Sequence, residues 1–495
     1  MIYFLNRIRP ASLIFLVSCS LLSSAEKKPN VLLILVDDLK PTIRSFGDAV
    51  AITPNLDRLA ASGLRFEMAY CNQSVCMASR YNLLLGSRST STGFYNFGTQ
   101  FREVYPDAVT LPQHFMNNGY VAHSMGKIFH IGHGNTNDDA SWSVPHHADK
   151  VIEYVLPESN HRELTREEAL FSNQRSRDEN GSLPRGAAWE APDVLDYAYA
   201  DGRIAETAVD RMRWLKDNEE KPFFLAVGFV RPHLPFSAPK KYWDMYDRNK
   251  LPMPEYVDAP KGAPKYAVKR RGEIMAFNPI PTTEPFPDDL TQQLIHGYYS
   301  SVSYMDAQLG KVLDGLEQQG LADDTIVVFW GDHGWHLGDH GSWTKHSNYE
   351  QANRIPIIIV APGVTKPGSV THQLAETVDI YPTLAALAGL APPKTSQPID
   401  GLDLTPVMLD EQKRIRDYAY HAYSKQGRMG RAIRDSRYRL VEWSNDEEVE
   451  YELYDYQEDP LETVNIASSD QKALARMQAL LATEPAAKPR VQRRR

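Results

Sequence analysis

The sequence has 495 residues, of which 42% are hydrophobic and 24% are charged, as in an ordinary globular protein. This length is sufficient for one large core and a smaller appended unit. The net charge of −9 excludes a general nucleic-acid binder, because phosphate contacts need a basic surface. It also gives no overall attraction for polyanionic sugars, so any anion-binding site must be local.

The first 25 residues have the pattern of a secretory signal peptide. Arg7 and Arg9 precede an apolar run over residues 11–22, and the small residues Ser23 to Ala25 follow it. The run is short for a bilayer-spanning helix, so we predict an exported protein, periplasmic or secreted, with no stable membrane span. The alternative is a lipoprotein acylated at Cys19. Cleavage after Ala25 is favoured, because the residues after Cys19 remain apolar.

Cleavage would leave two cysteines in the mature chain, Cys71 and Cys76. Two cysteines do not make a disulfide framework, so one of them is a candidate for chemistry. Cys71 is interpreted as structural, with a disulfide to Cys76 as the alternative in an inactive product.

The next segments alternate between strand and helix patterns. Continuous apolar runs predict strands buried on both faces of a parallel sheet, at residues 31–36, 223–230, 325–330 and 355–360, and residues 120–125 form a further, apolar-leaning stretch. A proline after a capping threonine and a later glycine predict a helix from Pro54 to Gly63, and residues 293–319 form a longer amphipathic stretch. This alternation predicts an α/β fold.

Beyond about residue 405 the pattern changes to short strands, at residues 418–423, 437–443 and 450–454. We therefore predict a main domain over residues 26–405 and a smaller C-terminal α+β subdomain with an antiparallel sheet over residues 406–485. Residues 486–495 are basic and contain no core-forming run, which predicts a disordered tail.

Polar residues follow four of the predicted parallel strands, where ligands bind in open sheets. The acids among them are Asp37, Asp38 and Asp332, and the basic residues are Lys127, His130, Arg231, His233 and His333. Three clustered carboxylates repel each other unless a cation lies among them. Oxygen-rich sites suit hard ions such as calcium or magnesium, although a histidine ligand is less typical of them.

A second element begins at Cys76 and continues through Ala78 and Arg80 into a predicted helix that ends before Gly86. A cysteine at a helix start lies beside the positive end of the helix dipole, where an anion is stabilised. The alternative is a small buried hydrophobic residue, which is the usual role of a free cysteine.

The stretch Cys76-x-Ala-x-Arg80 resembles the sulfatase signature Cys-x-Pro-x-Arg, which directs oxidation of the cysteine to formylglycine (3-oxoalanine). The sequence is most similar to the iduronate-2-sulfatase group within that family. The resemblance spans roughly residues 29–460, and the further segments that carry it are 29–38, 53–57, 126–130, 225–233, 331–335 and 343–348. Ala78 replaces the commoner proline, and alanine variants occur in parts of the family. His333 replaces the asparagine of many sulfatases, as in the iduronate-2-sulfatase group.

The resemblance implies an alkaline-phosphatase-like sheet flanked by helices and one calcium ion, held by Asp37, Asp38, Asp332, His333 and residue 76. Formylglycine made from Cys76 by a formylglycine-generating enzyme would be hydrated and attack sulfur. The roles implied for the remaining residues are stabilisation of the nucleophile by Arg80, sulfate binding by Lys127 and Lys345, protonation of the leaving oxygen by His233 with Lys345 as a possible second donor, and proton removal by His130.

The substrate implied is a sulfated carbohydrate, specifically a 2-O-sulfated uronate or similar sugar at a chain end. The polar segments 141–192 and 261–287 are candidate substrate loops. One alternative is a phosphate or phosphonate ester hydrolase on the same fold, which would use serine or threonine and commonly two transition metals. Another is a non-catalytic carbohydrate-binding relative, which should have lost a charged member of the set.

Overall fold

The structure is a computed structural model that describes residues 28–269, 272–283 and 285–492. The predicted signal peptide, including the alternative acylation site Cys19, lies outside the described residues. Within the described ranges, no helix combines the length and the apolar character needed to cross a membrane.

Thirteen strands are described. In chain order they are β1 (Asn30–Val36), β2 (Leu64–Tyr70), β3 (Val121–Gly126), β4 (Trp189–Glu190), β5 (Phe223–Phe229), β6 (Phe236–Ser237), β7 (Thr325–Gly331), β8 (Ile357–Val360), β9 (Ser369–Glu376), β10 (Ala419–Lys425), β11 (Arg428–Arg434), β12 (Tyr438–Ser444) and β13 (Val449–Asp455).

The described α-helices also number thirteen. They are α1 (Pro54–Ser62), α2 (Cys76–Leu85), α3 (Ser89–Thr92), α4 (Leu111–Asn117), α5 (Pro157–Asn160), α6 (Arg166–Phe171), α7 (Ala200–Asn218), α8 (Lys240–Trp243), α9 (Asp288–Gln318), α10 (Glu350–Asn353), α11 (Ile380–Leu387), α12 (Thr405–Leu409) and α13 (Gln471–Leu481).

The main sheet has seven strands in the order β3-β5-β1-β7-β8-β2-β9. Six of them run in the same direction, and β8 alone is antiparallel to both of its neighbours. The predicted mostly parallel α/β sheet is therefore confirmed. The apolar run that ends at Val360 forms β8, which runs antiparallel to the other strands of the sheet. An apolar run gives no information about strand direction, because burial on both faces is the same either way.

Helices cover both faces of this sheet. Residues of β1 alternate between the two cores, so that Leu32 and Ile34 pack with α1, α7 and α9, and Leu33 and Leu35 pack with α2, α4 and α11. All seven residues of β1 are buried. This double burial explains why the strand reads as a continuous apolar run, and each buried leucine or isoleucine contributes roughly 1.5–3 kcal/mol.

The carboxyl ends of the central strands lie level with one another. Val36 at the end of β1 pairs with Phe229 of β5 on one side and with Gly331 of β7 on the other. Gly126 at the end of β3 pairs with Gly228. The polar residues after these four strands therefore begin from one edge of the sheet.

The C-terminal unit is a four-stranded antiparallel sheet, β10-β11-β12-β13, with α13 packed against it. The sequence pattern indicated three of these strands but not β11 or α13. In β11, three arginines interrupt the apolar pattern, although Arg434 is buried in the fold. The amphipathic spacing of Ala473, Met477 and Leu481 on one face of α13 is a signal that the sequence did contain.

The basic C-terminal segment differs from the expected free tail over the part that is described. The backbone N–H of Lys488 donates to the Thr90 carbonyl at 2.8 Å, and that of Val491 donates to the Gly93 carbonyl at 3.0 Å. Val491 also packs against the main core. Two backbone hydrogen bonds and one apolar contact therefore hold this segment against the main domain. The side chains of the segment alone had predicted no ordered structure.

Candidate active site

The acidic cluster lies beyond the ends of β1 and β7. Ligand atoms of Asp37, Cys76, Asp332 and His333 all lie within 4.8 Å of one another, and all four residues are buried. A second group of Asp38, Cys76 and His233 has the same compactness. The strand-end residues predicted from sequence are thus brought together around Cys76.

The chain turns sharply at Asp38, which has a left-handed backbone with φ of 58°. This conformation directs two consecutive carboxylates into one site, and neighbouring elements hold it. The backbone N–H of Asp38 donates to Asp332 Oδ1 at 3.0 Å, and the Tyr298 hydroxyl of α9 donates to the Asp38 carbonyl at 2.8 Å.

Cys76 is the first residue of α2, a helix in which every residue is buried. Its Sγ lies 3.2 Å from Nε2 of His333. Burial, followed by the charge of Asp37, raises the pKa of the Cys76 thiol well above its ordinary value. The unmodified thiol is therefore a poor source of thiolate in this site. Both Cys71 and Cys76 are free, and the Cys71 thiol faces the Ala352 carbonyl at 3.7 Å, so no disulfide joins them.

Arg80 connects α2 to the strand ends one turn after Cys76. Its Nε donates to Asp332 Oδ2 at 3.1 Å, and its Nη2 lies 3.6 Å from Asp37 Oδ1. It also donates to the backbone carbonyls of Lys127 and Ile128. The fully buried guanidinium thus fixes α2 to β3 and offsets two carboxylates.

Lys127 follows the tight end of β3. Gly126 has φ of +72°, and a side chain there would meet the Gly228 carbonyl oxygen at 2.0 Å, so only glycine fits. This close approach directs the Lys127 ammonium to an ion pair with Asp37.

Lys345 and His233 meet at a carboxylate that the sequence analysis did not select, that of Glu273. Lys345 Nζ lies 2.6 Å from Glu273 and 3.0 Å from Asp38, and His233 Nε2 lies 3.0 Å from Glu273. Burial raises the pKa of Glu273, but Lys345 and His233 outweigh that effect and hold it well below the ordinary value. No sequence motif marked Glu273, which is the first residue of a short 3-10 helix, Glu273–Ala276.

His130 contacts a second imidazole, with its Nε2 3.1 Å from Nδ1 of His133. Burial, followed by the positive charge of Lys127, lowers the pKa of His130 well below its ordinary value. A neutral imidazole of this kind can accept a proton. Arg231, by contrast, lies beside this set and donates to the His233 and Ser237 carbonyls, which fixes the loop that carries His233.

The donor set fits a divalent cation. Among the described residues, no donor makes a hydrogen bond to Asp37 Oδ1, although this atom is buried. Burial, followed by the neighbouring charge of Asp37, raises the pKa of Asp332 well above its ordinary value. A bound cation would allow both acids to ionise, and carboxylate oxygens are the ligands of hard ions.

A cavity of about 380 Å³ opens above Cys76. Its wall includes the predicted residues His233 and Lys345 and several that the sequence analysis did not select: His133, Arg166, Glu167, Phe171, Arg177, Lys269, Glu273 and His346. Most of these come from the two segments that were predicted as substrate loops, 141–192 and 261–287. The polar composition of these two segments predicted them as substrate loops. No periodic pattern within them indicated which residues would line the cavity.

Comparison with known proteins identifies the family. The sulfatase family model matches residues 29–390, and the model described as N-sulphoglucosamine sulphohydrolase, C-terminal, matches residues 338–486. Human iduronate 2-sulfatase is 35% identical over 406 residues, covering 74% of this chain and 70% of its own length. Mouse iduronate 2-sulfatase is 31% identical over 527 residues, covering 91% and 92%.

A solved phosphonate monoester hydrolase from Silicibacter pomeroyi is 23% identical and superimposes with a TM-score of 0.71, covering 92% of this chain and 94% of its own. This likeness shows the fold, which is the predicted alkaline-phosphatase-like arrangement. The family model spans most of the chain and the iduronate 2-sulfatases match across it, so this protein is a member of the sulfatase family and an enzyme that hydrolyses sulfate esters.

Proposed function

We propose that this sulfatase removes the sulfate group from a sulfated sugar, specifically a 2-O-sulfated uronate at a chain end. The proposed machinery is one calcium ion and a nucleophile made from Cys76. The observation that carries this proposal is the position of Cys76 below a polar cavity, with the acidic cluster beside it and the ammonium group of Lys345 in the same wall.

The size and the lining of the cavity support a sugar substrate. A volume of about 380 Å³ is at the small end of the range for ligand pockets, and it suits a terminal residue better than the interior of a chain. The names of the human and mouse relatives support iduronate as the sugar.

Asp37, Asp38, Asp332 and His333, together with residue 76, are the proposed ligands of the calcium ion. When bound, calcium would supply positive charge next to the sulfate oxygens and the nucleophile. Arg80 contributes fixed positive charge beside residue 76 and orients Asp332 through the 3.1 Å contact. After oxidation of Cys76 to formylglycine, residue 76 would provide the attacking oxygen.

Lys127 and Lys345 are the proposed sulfate-binding residues. Both ammonium groups are buried, and each contacts a carboxylate of the acidic cluster, Asp37 for Lys127 and Asp38 for Lys345. In a site without bulk water these charges stabilise the negative charge that increases on the sulfate oxygens during transfer.

His233 and His130 are the proposed proton-transfer residues. Nδ1 of His233 lies 2.6 Å from the Leu234 carbonyl and therefore carries a proton, which leaves Nε2 facing the cavity beside Glu273. A protonated Nε2 can donate to the departing sugar oxygen. His130, held neutral by burial, accepts a proton from the second hydroxyl of residue 76, so that sulfate leaves and the aldehyde returns.

The decisive experiment is the mass of the peptide that contains Cys76, from protein expressed with a formylglycine-generating enzyme, together with sulfate release from an aryl sulfate and from a 2-O-sulfated iduronide. We expect the aldehyde mass and activity that disappears in Cys76→Ala. The matched control is Cys71→Ser, which should keep its activity. An unmodified Cys76 in protein that is inactive on sulfates would contradict the proposal, and preferential hydrolysis of a phosphonate monoester would replace it.

We also propose that the chain is exported through its first 25 residues, as the basic, apolar and small-residue pattern indicates. Cell fractionation should find the protein outside the cytoplasm with its N-terminus at Glu26. A chain that retains Met1 in the cytoplasm would contradict export, and acylation at Cys19 would replace cleavage after Ala25.

A further inference from the structure

A second histidine lies beside His130, and the proposed reaction does not use it. Nε2 of His130 is 3.1 Å from Nδ1 of His133. His130 is almost completely buried, whereas His133 is only partly buried and lines the cavity above Cys76. One hydrogen bond therefore joins the proposed proton acceptor to an imidazole in the cavity wall.

The backbone around His133 forms a tight turn. Gly132, His133 and Gly134 have φ of 107°, 55° and 86°, so three successive residues take the left-handed conformation. This conformation is uncommon for a residue with a side chain, and it persists only where neighbouring contacts hold it. The N–H of His133 donates to the Leu170 carbonyl at 3.0 Å, and that of Gly134 donates to Asn173 Oδ1 at 2.8 Å. The end of α6 and the residues after it therefore hold the turn that carries His133.

Two phenylalanine rings pack against the histidine pair. Phe97 stacks on His133 with ring centroids 4.5 Å apart and an interplanar angle of 20°, and its centroid is 4.7 Å from that of His130. Phe171 lies edge-on to His133 at 4.7 Å and tilted against His130 at 5.5 Å. Because packing of this kind restricts rotation of both imidazoles, the contact between their nitrogen atoms is held in place.

The hydrogen bond between the two rings decides which nitrogen of His130 carries its proton. If His133 donates, the His130 proton lies on Nδ1, a buried atom with no hydrogen-bond partner among the described residues. If His130 donates from Nε2, its Nδ1 keeps a free lone pair and His133 carries its proton on Nε2. Burial lowers the pKa of His133 to about 3, so this ring is neutral at pH 7 and can accept. The second arrangement avoids a buried N–H without an acceptor and leaves a nitrogen free to act as a base.

Resting on the proposed function, we propose that His133 is a positioning residue for His130. By accepting the Nε2–H of His130, it fixes the tautomer in which Nδ1 of His130 is free to take a proton. That proton comes from the second hydroxyl of residue 76. The electron pair of this O–H bond forms the C=O bond of the aldehyde, while the carbon–oxygen bond to sulfate breaks and sulfate leaves with the electron pair of that bond. His130 then returns the proton from Nδ1 to water, and its Nε2–H stays on His133 throughout.

The test separates the hydrogen bond of His133 from its packing. His133→Phe keeps an aromatic ring against Phe97 but removes the acceptor. His133→Asn removes the ring, but its side-chain oxygen can accept from His130, and asparagine tolerates a left-handed backbone. His161→Phe is the matched control, because His161 is an exposed histidine with a left-handed φ of 57° that does not line the cavity.

Each full-length enzyme is expressed with a formylglycine-generating enzyme, and rapid-quench kinetics follow the release of aryl alcohol and of sulfate from an activated aryl sulfate. The good leaving group makes the first half of the reaction fast, so the second half limits turnover. In His133→Phe, kcat should fall about 10- to 100-fold, which is the loss expected for one hydrogen bond to a charged ring. KM should fall by the same factor, so that kcat/KM, which reports the first half of the reaction, stays close to the wild-type value.

The two products should also separate in time. In His133→Phe, aryl alcohol should appear in a burst of about one equivalent per active site, and sulfate should remain on the peptide that contains residue 76. His133→Asn should recover most of kcat, and His161→Phe should behave as the wild-type enzyme. The double variant His130→Phe/His133→Phe should be no slower than His130→Phe, because the residue that His133 positions is already absent.

A wild-type kcat in His133→Phe would overturn the inference, as would a lower kcat/KM without a burst, or a higher kcat in His133→Phe than in His133→Asn. Losses that multiply in the double variant would also overturn it. Failure of the proposed function is distinguishable, since the wild-type enzyme would then release no sulfate or retain an unmodified Cys76. Thermal unfolding of each variant separates a local effect from misfolding, and His133→Gly, which fits the left-handed turn, replaces His133→Phe if that variant unfolds.

Discussion

Replacing Glu273 by glutamine removes a negative charge but keeps the size of the side chain. This charge contacts both Lys345, the proposed sulfate-binding residue, and His233, the proposed proton donor. The carboxylate lies 2.6 Å from Lys345 Nζ and 3.0 Å from His233 Nε2. Lys345 would retain Asp38 at 3.0 Å, whereas His233 would retain Asp38 only at 4.0 Å. The loss therefore falls mainly on the position of His233.

The magnitude follows from the contact that is lost. One charge-assisted contact in a buried site contributes roughly 1.5–3 kcal/mol. If that contact holds His233 for the transition state, kcat should fall about 10- to 100-fold in Glu273→Gln. KM should not rise, because removing a negative charge from an anion-binding cavity does not weaken binding of a sulfate ester.

Steady-state kinetics with an aryl sulfate measure both constants, and Glu273→Asp tests whether a shorter carboxylate restores part of kcat. An unchanged kcat with a lower KM would refute the reasoning, since Glu273 would then only repel the negatively charged sulfate ester. A melting temperature close to that of the wild-type protein is needed for either interpretation.

The metal site, the buried arginine of the C-terminal sheet and the tyrosine below Asp38 each give a further prediction. A chelator should lower the melting temperature, and the decrease should grow as the pH rises, because burial and the charge of Asp37 raise the pKa of Asp332 in the metal-free protein, so that ionising this carboxyl destabilises the fold. An equal decrease at every pH, measured by calorimetry, would contradict this. Arg439→Met should reduce the free energy of unfolding in urea by about 3–5 kcal/mol, because it leaves buried Glu462 without its cation and Glu350 with only the more distant Arg434. Arg213→Met, at the exposed pair with Asp210, should change it little. Tyr298→Phe should weaken calcium binding in titration calorimetry by about tenfold, since it removes the support of the Asp38 carbonyl, whereas Tyr304→Phe on the same helix should not.

The residues of the acidic cluster could be predicted from sequence because topology alone brings them together. Parallel strands in register end at one edge of a sheet, so Asp37, Asp332 and Lys127 had to begin from neighbouring positions wherever the loops went. Cys76 and Arg80 lie one turn apart on a single helix, which is also a local property. The resemblance to sulfatases added their proposed roles.

The cavity wall depended on tertiary structure. Lys269 and Arg177 lie outside the helices and strands, and Glu273 begins a short 3-10 helix, so no periodicity of the sequence predicted that they line one cavity. The same is true of β8, whose direction an apolar run cannot encode. Sequence by itself determined where the sulfate chemistry begins, because strand ends and a helix start are fixed by local pattern. Only the packed structure decided which charges line the cavity above Cys76, because irregular segments take their positions from long-range contacts.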